Sequence, residues 1–160
     1  MSTLSPYRSL PVEKRLALVT HAVGASREAR ALYVGRLVAR GGGFRAVTLK
    51  GWPVERLARE IVRTRAEAAE DELDLLLLLY VELEPAIQID FFDAAGVAHE
   101  KGVLPDGLEM PFADAVAVKR AAATIRERYG DDGMRYLRTL ERYNAPAWPG
   151  IAEVVEELSR

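Results

Sequence analysis

The sequence predicts an all-α fold: a compact bundle of seven or eight helices forming one domain over residues 1–160. Apolar residues recur every three to four positions along most of the chain, the period that gathers them on one face of a helix. Prolines stand where these segments begin and glycines where they end. A first helical turn tolerates the missing N–H of proline, and glycine accepts the left-handed conformation that closes a last turn. No segment demands a strand. The composition is ordinary for a globular chain, with 49% hydrophobic and 29% charged residues.

Ser9, Leu10 and Pro11 open a first helix with Leu16, Val19 and Val23 on one face and Gly24 as its stop. Ser26 caps a second helix over 27–40, with a core stripe of Leu32, Tyr33, Leu37 and Val38. Gly41, Gly42 and Gly43 end it. Phe44 to Lys50 reads equally well as a short helix or an extended segment. Trp52-Pro53 then opens a helix that turns Leu57, Ala58, Ile61 and Val62 inward.

Thr64 followed by Glu67 has the spacing of a capping box and sets a boundary near Thr64. The next helix, over 65–84, presents Leu73, Leu76, Leu77, Tyr80 and Leu83, and its five consecutive leucines imply burial on most sides. Residues 85–95 fit either a helix or a strand with Ile87, Ile89 and Phe91 on one face. Helix is preferred, because Pro85 starts the segment and Gly96 stops it. A long loop covers Val97 to Met110. Pro111 begins a long helix to about Tyr129 that Gly130 closes, and Asp131 or Asp132 caps another to about Tyr143. After a turn at Asn144, Ala145 and Pro146, Trp148-Pro149 opens the last helix. Trp52 and Trp148 read as apolar staples at helix starts, although tryptophan is also favoured in binding hot spots. A short helical-repeat arrangement is the alternative, since Pro11-Val12-Glu13 and Pro53-Val54-Glu55 lie 42 residues apart.

There are no cysteines, which removes disulfides, thiolate metal sites and a cysteine nucleophile and fits a cytoplasmic setting. Met1 to Leu10 contains no apolar stretch of signal-peptide length. The longest uncharged apolar run, Leu75 to Val81, is far shorter than the roughly 20 residues of a membrane span, so no membrane partner is expected. The three glycines lack the Gly-Lys-Ser/Thr continuation of a phosphate loop, and no nucleophile elbow is present. No cofactor is expected.

Net charge is −2, yet residues 1–65 carry 13 Lys/Arg against 4 Asp/Glu and residues 66–160 carry 9 against 20. Arg56, Arg59 and Arg63 share the face opposite Leu57 and Ile61, and Arg36 and Arg40 pair similarly one helix earlier. Helix, glycine break, short segment and basic helix are similar in outline to a helix-turn-helix. Such arginines suit phosphates, but a pI of about 5.8 is low for a nucleic-acid-binding domain. The same segregation also suits basic helices packed beside acidic ones, or head-to-tail contact between subunits.

Asp90, Asp93, His99 and Glu100 form the second constellation. Two carboxylates with a histidine have the chemistry of a divalent-metal site or an acid–base pair. They equally suit the solvated face of a helix whose other side is Phe91 and Phe92. The paired Glu-x-x-His pattern of helical di-metal sites is missing. His21 falls late in the first helix, where the dipole favours it.

Residues 91–102 (FFDAAGVAHEKG), with Tyr136-Leu137 and Trp148 downstream, resemble a group of bacterial helical proteins without an assigned activity. The resemblance covers roughly residues 85–150 and implies an all-helical fold. It assigns no functional residue and marks His99 and Glu100 as worth testing. The composite expectation is a non-catalytic protein-interaction or regulatory module, through a protein partner or self-association. Nucleic-acid binding through Arg56, Arg59 and Arg63, and an enzyme or metal site around Asp93, His99 and Glu100, are the alternatives.

Overall fold

The computed structural model describes residues 4–160, so the first three residues of the N-terminal stretch read for a leader lie outside the described residues. Eight α-helices are present among the described residues. They are α1 (Val12–Ala25), α2 (Arg27–Ala39), α3 (Ala46–Lys50), α4 (Val54–Arg63), α5 (Glu72–Leu78), α6 (Ala86–Ala95), α7 (Ala115–Asn144) and α8 (Ile151–Leu158). Short 3-10 turns stand at Ala69–Asp71 and Ala145–Ala147, and a π turn at Leu79–Leu83. The fold is all-α. No helix of the described residues is long and apolar enough to cross a membrane.

Packing divides the described residues into two compact units: Leu10–Leu75, and residues 4–9 together with Leu76–Arg160. In the first unit, Val19 and Val23 of α1 meet Tyr33, Val34 and Leu37 of α2 and Leu57, Ala58, Ile61 and Val62 of α4 in one apolar cluster. Full burial stabilises each such aliphatic side chain by roughly 1.5–3 kcal/mol. The stripe expected on α2 is corrected by one position. Val34 is buried, while Leu32 and Val38 are 48% and 38% exposed, because the stripe centres on Tyr33, Val34 and Leu37. The ambiguous segment after the glycines resolves as the short helix α3. Ser26 caps α2 as expected, its hydroxyl accepting from the Ala29 N–H at 3.1 Å. Pro11 and Pro53 precede α1 and α4 with nearly equal extended geometry, and those two helices pack on each other. The 42-residue likeness is thus the same helix start used twice within one packed pair.

The helix expected over 65–84 is broken. Thr64 does not open it. Its hydroxyl donates back to the Glu60 carbonyl at 2.8 Å, and Arg65 turns left-handed at φ 53°. The N–H groups of Arg65 and Ala66 then bond the Val62 and Ile61 carbonyls, the paired reverse bonds of a Schellman closure. Helix resumes only at α5. Beyond it, the Glu84 N–H reaches back five residues to Leu79, and this wider turn resets the register. Leu75, Leu76, Leu79 and Tyr80 are buried at ordinary helical spacing, while Leu77 is 49% and Leu83, within the wider turn, 38% exposed.

The second unit is organised around Trp148, which is 1% exposed. Phe92 stacks on the indole with ring centroids 5.7 Å apart, and Phe91 and Phe112 meet it edge-on at 5.0 and 5.4 Å. Such geometries add about 0.5–1.5 kcal/mol per pair beyond area burial. The preference for helix at 85–95 is met by α6. Pro111, however, does not start α7. The Phe112 N–H bonds the Ala147 carbonyl at 3.1 Å, which ties this stretch to the turn before Trp148. Asp114 supplies the cap instead, its carboxylate accepting from the Ala117 N–H at 2.8 Å.

The break expected at Gly130 is present: α7 bends there at φ 55° and ψ −125°, a conformation costly for any residue with a Cβ. The bend lays Gly133 against the preceding half of the helix. A Cβ at Gly133 would stand 2.5 Å from the Ile125 carbonyl oxygen, inside any real contact distance.

Candidate functional site

The four residues of the acidic–histidine constellation split into two separate arrangements. Asp90 accepts a hydrogen bond from the Tyr129 hydroxyl at 2.5 Å and pairs with Arg128 at 3.2 Å, joining α6 to α7. That bond to the carboxylate raises the Tyr129 phenol above its ordinary value. Asp93, three residues on, projects instead toward the loop and meets His99 Nε2 at 2.6 Å. Asp90 and Asp93 share a helix but no partner.

His99 is held on both sides. Its Nδ1 accepts the Gly102 N–H at 3.0 Å, so the neutral ring carries its proton on Nε2 and donates it to Asp93. The ring packs against Phe92 with centroids 5.6 Å apart. Gln88 completes the fastening by donating to the Gly102 carbonyl at 2.7 Å. Between these anchors, Glu100 and Val103 exchange backbone hydrogen bonds of 2.8 and 3.0 Å. Lys101 and Gly102, both at positive φ, form the tight turn between them.

A general base needs a lone pair that faces its substrate. In His99 that lone pair is occupied by a backbone amide, so the Asp93–His99 pair fastens the loop rather than presenting a reactive nitrogen. Glu100 is exposed, and no group of three or more His, Cys, Asp or Glu that could hold a metal ion occurs among the described residues. An open cleft of about 670 Å³ lies along the loop, with Ala98, Val103, Leu104 and Pro105 beside His99 and Glu100. Asp93 does not line it. Sequence reasoning passed over Gln88 and the apolar loop residues. A Gly at position 102 behind His-Glu-Lys was the one available signal for the tight turn.

The arginines also divide. On α2, Arg36 forms a two-pronged pair with the Asp71 carboxylate, bonds the Ala66 carbonyl at 3.3 Å and lies 3.7 Å from Glu70. The bond to Asp71 raises the Arg36 guanidinium further above its ordinary value. Burial, reinforced by Asp71, pushes the Tyr33 phenol upward as well. Arg40 bonds the carbonyls of Thr64 and Arg65, where the negative end of the α4 dipole lies. The exposed basic surface read for Arg36 and Arg40 is therefore corrected. They clamp the connection between α4 and α5.

Arg56, Arg59 and Arg63 are all exposed on α4. Arg56 lies over the Trp52 ring at 4.0 Å, and Phe44 meets that ring edge-on at 5.0 Å. Trp52 is thus half-buried and carries a guanidinium on its face, which the staple reading did not foresee. Arg63 pairs with Glu60 one turn back at 2.5 Å, and this bond holds the Glu60 carboxyl below its ordinary value. Arg59 has neither a hydrogen bond nor an ion pair among the described residues. Glu55 lies one turn before Arg59, so carboxylates border the arginine stripe on both sides.

In comparison with known proteins, the chain matches no family model, no curated protein and no solved structure.

Proposed function

We propose that this chain is a non-catalytic protein-interaction module that engages an acidic protein surface through the outward face of α4. The observation that carries the reading is the contrast between neighbouring helices. Arg30 and Arg36 of α2 and Arg40 at its end close on acids and carbonyls of their own unit, whereas Arg56, Arg59 and Arg63 project outward with no acid from another element against them. Arginine and tryptophan dominate binding hot spots, and Arg56 on Trp52 presents both together. Glu55 and Glu60 favour a protein partner over a phosphate backbone, because they set negative charge among the cations. A cytoplasmic setting and kinship with the bacterial helical proteins that residues 91–102 resemble belong to the same reading.

Nucleic-acid binding through the same three arginines is the second reading, favoured by the guanidinium stacked on the half-buried Trp52 ring. One comparison separates the two. Tagged wild-type protein and the Arg56→Glu/Arg59→Glu variant are purified gently from the native host, and both are titrated with single-stranded and duplex DNA at low salt. A stoichiometric protein recovered by the wild type and lost by the variant supports the module. Recovery that is absent, or equal for both, overturns it. DNA binding that weakens steeply with salt and disappears in the variant replaces it with the second reading.

A further inference from the structure

The loop after α6 is built in an unusual way. His99, Gln88 and the Glu100–Val103 pairing fix its backbone at several points, yet the side chains it displays are apolar. Val103 is 53% and Met110 58% exposed, and Leu108 is 37% exposed. Unoccupied loops are commonly polar and mobile. A fastened loop that holds apolar groups toward solvent has the character of a docking surface. Its charged residues are predominantly acidic: Glu100, Asp106, Glu109 and Asp114, against the one base Lys101.

The α4 region carries the converse chemistry. Arg56 lies over the half-buried Trp52, whose ring adds an aromatic surface to the arginine face, and Val47 of the preceding α3 is 82% exposed. One surface is apolar with an acidic rim, and the other is basic with an aromatic ring beneath it. Both are encoded in the same chain.

Resting on the interaction reading above, we infer that the partner is a second copy of this chain, docked head to tail. The α4 face of one copy meets the loop over 97–114 of the next. The contact is heterologous, two different patches meeting rather than one patch meeting itself. Its specificity comes from opposed charge and its stability from the apolar groups brought together. A near-neutral net charge of −2 leaves little overall repulsion between copies, while the segregation of charge along the sequence supplies attraction between unlike ends. Two such patches on one molecule are also always present at equal concentration.

The test uses the full chain in analytical ultracentrifugation, over a range of concentrations at low salt and at about 0.5 M salt, where exposed charges are screened beyond a few ångströms. Two charge-reversal variants are compared. Arg56→Glu/Arg59→Glu makes both surfaces acidic, and Glu100→Lys/Asp106→Lys makes both basic. The wild type is expected to gain mass with concentration at low salt and to dissociate at high salt. Each variant alone should associate at least about tenfold more weakly, and an equimolar mixture of the two should recover a complex. Recovery on mixing is the decisive readout, since a misfolded variant would not show it. A wild type that stays monomeric throughout overturns the inference, as does association that both variants retain. If the chain is monomeric while α4 reversal still abolishes capture of a different protein, self-docking fails and the interaction reading stands. If α4 reversal changes neither assembly nor capture, both fall.

Discussion

Helices α2 and α4 each carry arginines at one-turn spacing, and the structure uses them in opposite ways. Arg36 and Arg40 reach across to the connection that follows α4, where Asp71 and three backbone carbonyls receive them. Arg56, Arg59 and Arg63 sit on the helix whose far side, Leu57, Ala58, Ile61 and Val62, is fully committed to the core. They can only face outward. Spacing along a helix shows which arginines travel together. What they meet depends on which segment returns beside them, and the acidic stretch after Arg65 returns to α2. Part of the charge imbalance between the two ends of the sequence is therefore neutralised within one unit.

Substitutions can break or sharpen this contrast. Gly133→Ala gives the scale for a position where backbone space is absolute: overlap with the Ile125 carbonyl should cost about 3 kcal/mol, read by chemical denaturation. A variant as stable as wild type would show that the α7 bend is not as close as described. Arg36→Ala should cost about 2 kcal/mol, because it leaves the Asp71 carboxylate and the Ala66 carbonyl short of a donor in a poorly hydrated place. Arg40→Ala should cost about 1 kcal/mol, since its carbonyl partners are exposed and water replaces it in part. Arg59→Ala should change stability by less than about 0.5 kcal/mol while weakening partner capture. If Arg36→Ala and Arg59→Ala proved equally costly, the division between clamping and outward arginines would be lost.

The smallest effect concerns pH. Bonding to Arg63 lowers the folded-state value of Glu60, so the stability it lends is present above the ordinary glutamate value of 4.5 and fades as pH falls through the lower folded value. Wild type and Glu60→Gln should therefore differ slightly in thermal midpoint near neutrality and converge in acid. A gap that widened in acid would contradict the pairing.

Two helix ends show how far local chemistry can be read from the chain. Helices α4 and α6 close with the same paired reverse hydrogen bonds and a left-handed residue. At α6 that residue is Gly96, and the stop was legible. At α4 it is Arg65, at φ 53°, an uncommon conformation for a residue with a Cβ, so local pattern points to a helix start at Thr64–Glu67 where the chain makes a helix end. The outward arginine stripe was likewise legible, because helical period alone opposes it to Leu57 and Ile61. The fate of Asp90 and Asp93 was not. They are three apart on α6, but α7 stands beside one and the loop beside the other. The apolar display of Val103 and Met110 also had no local signature, since no periodic pattern runs through that loop.

By itself the sequence determined the all-α class, the limits of α2, α4 and α6 and the inward set of α4. Those follow from bonds and periodicities spanning four residues or fewer. Tertiary structure alone decided which charges neutralise each other, which histidine nitrogen carries the proton and which apolar groups are left in solvent. Each of these depends on segments distant in the chain arriving side by side, and an electrostatic or hydrogen-bonded partner acts over ångströms of space rather than positions of sequence.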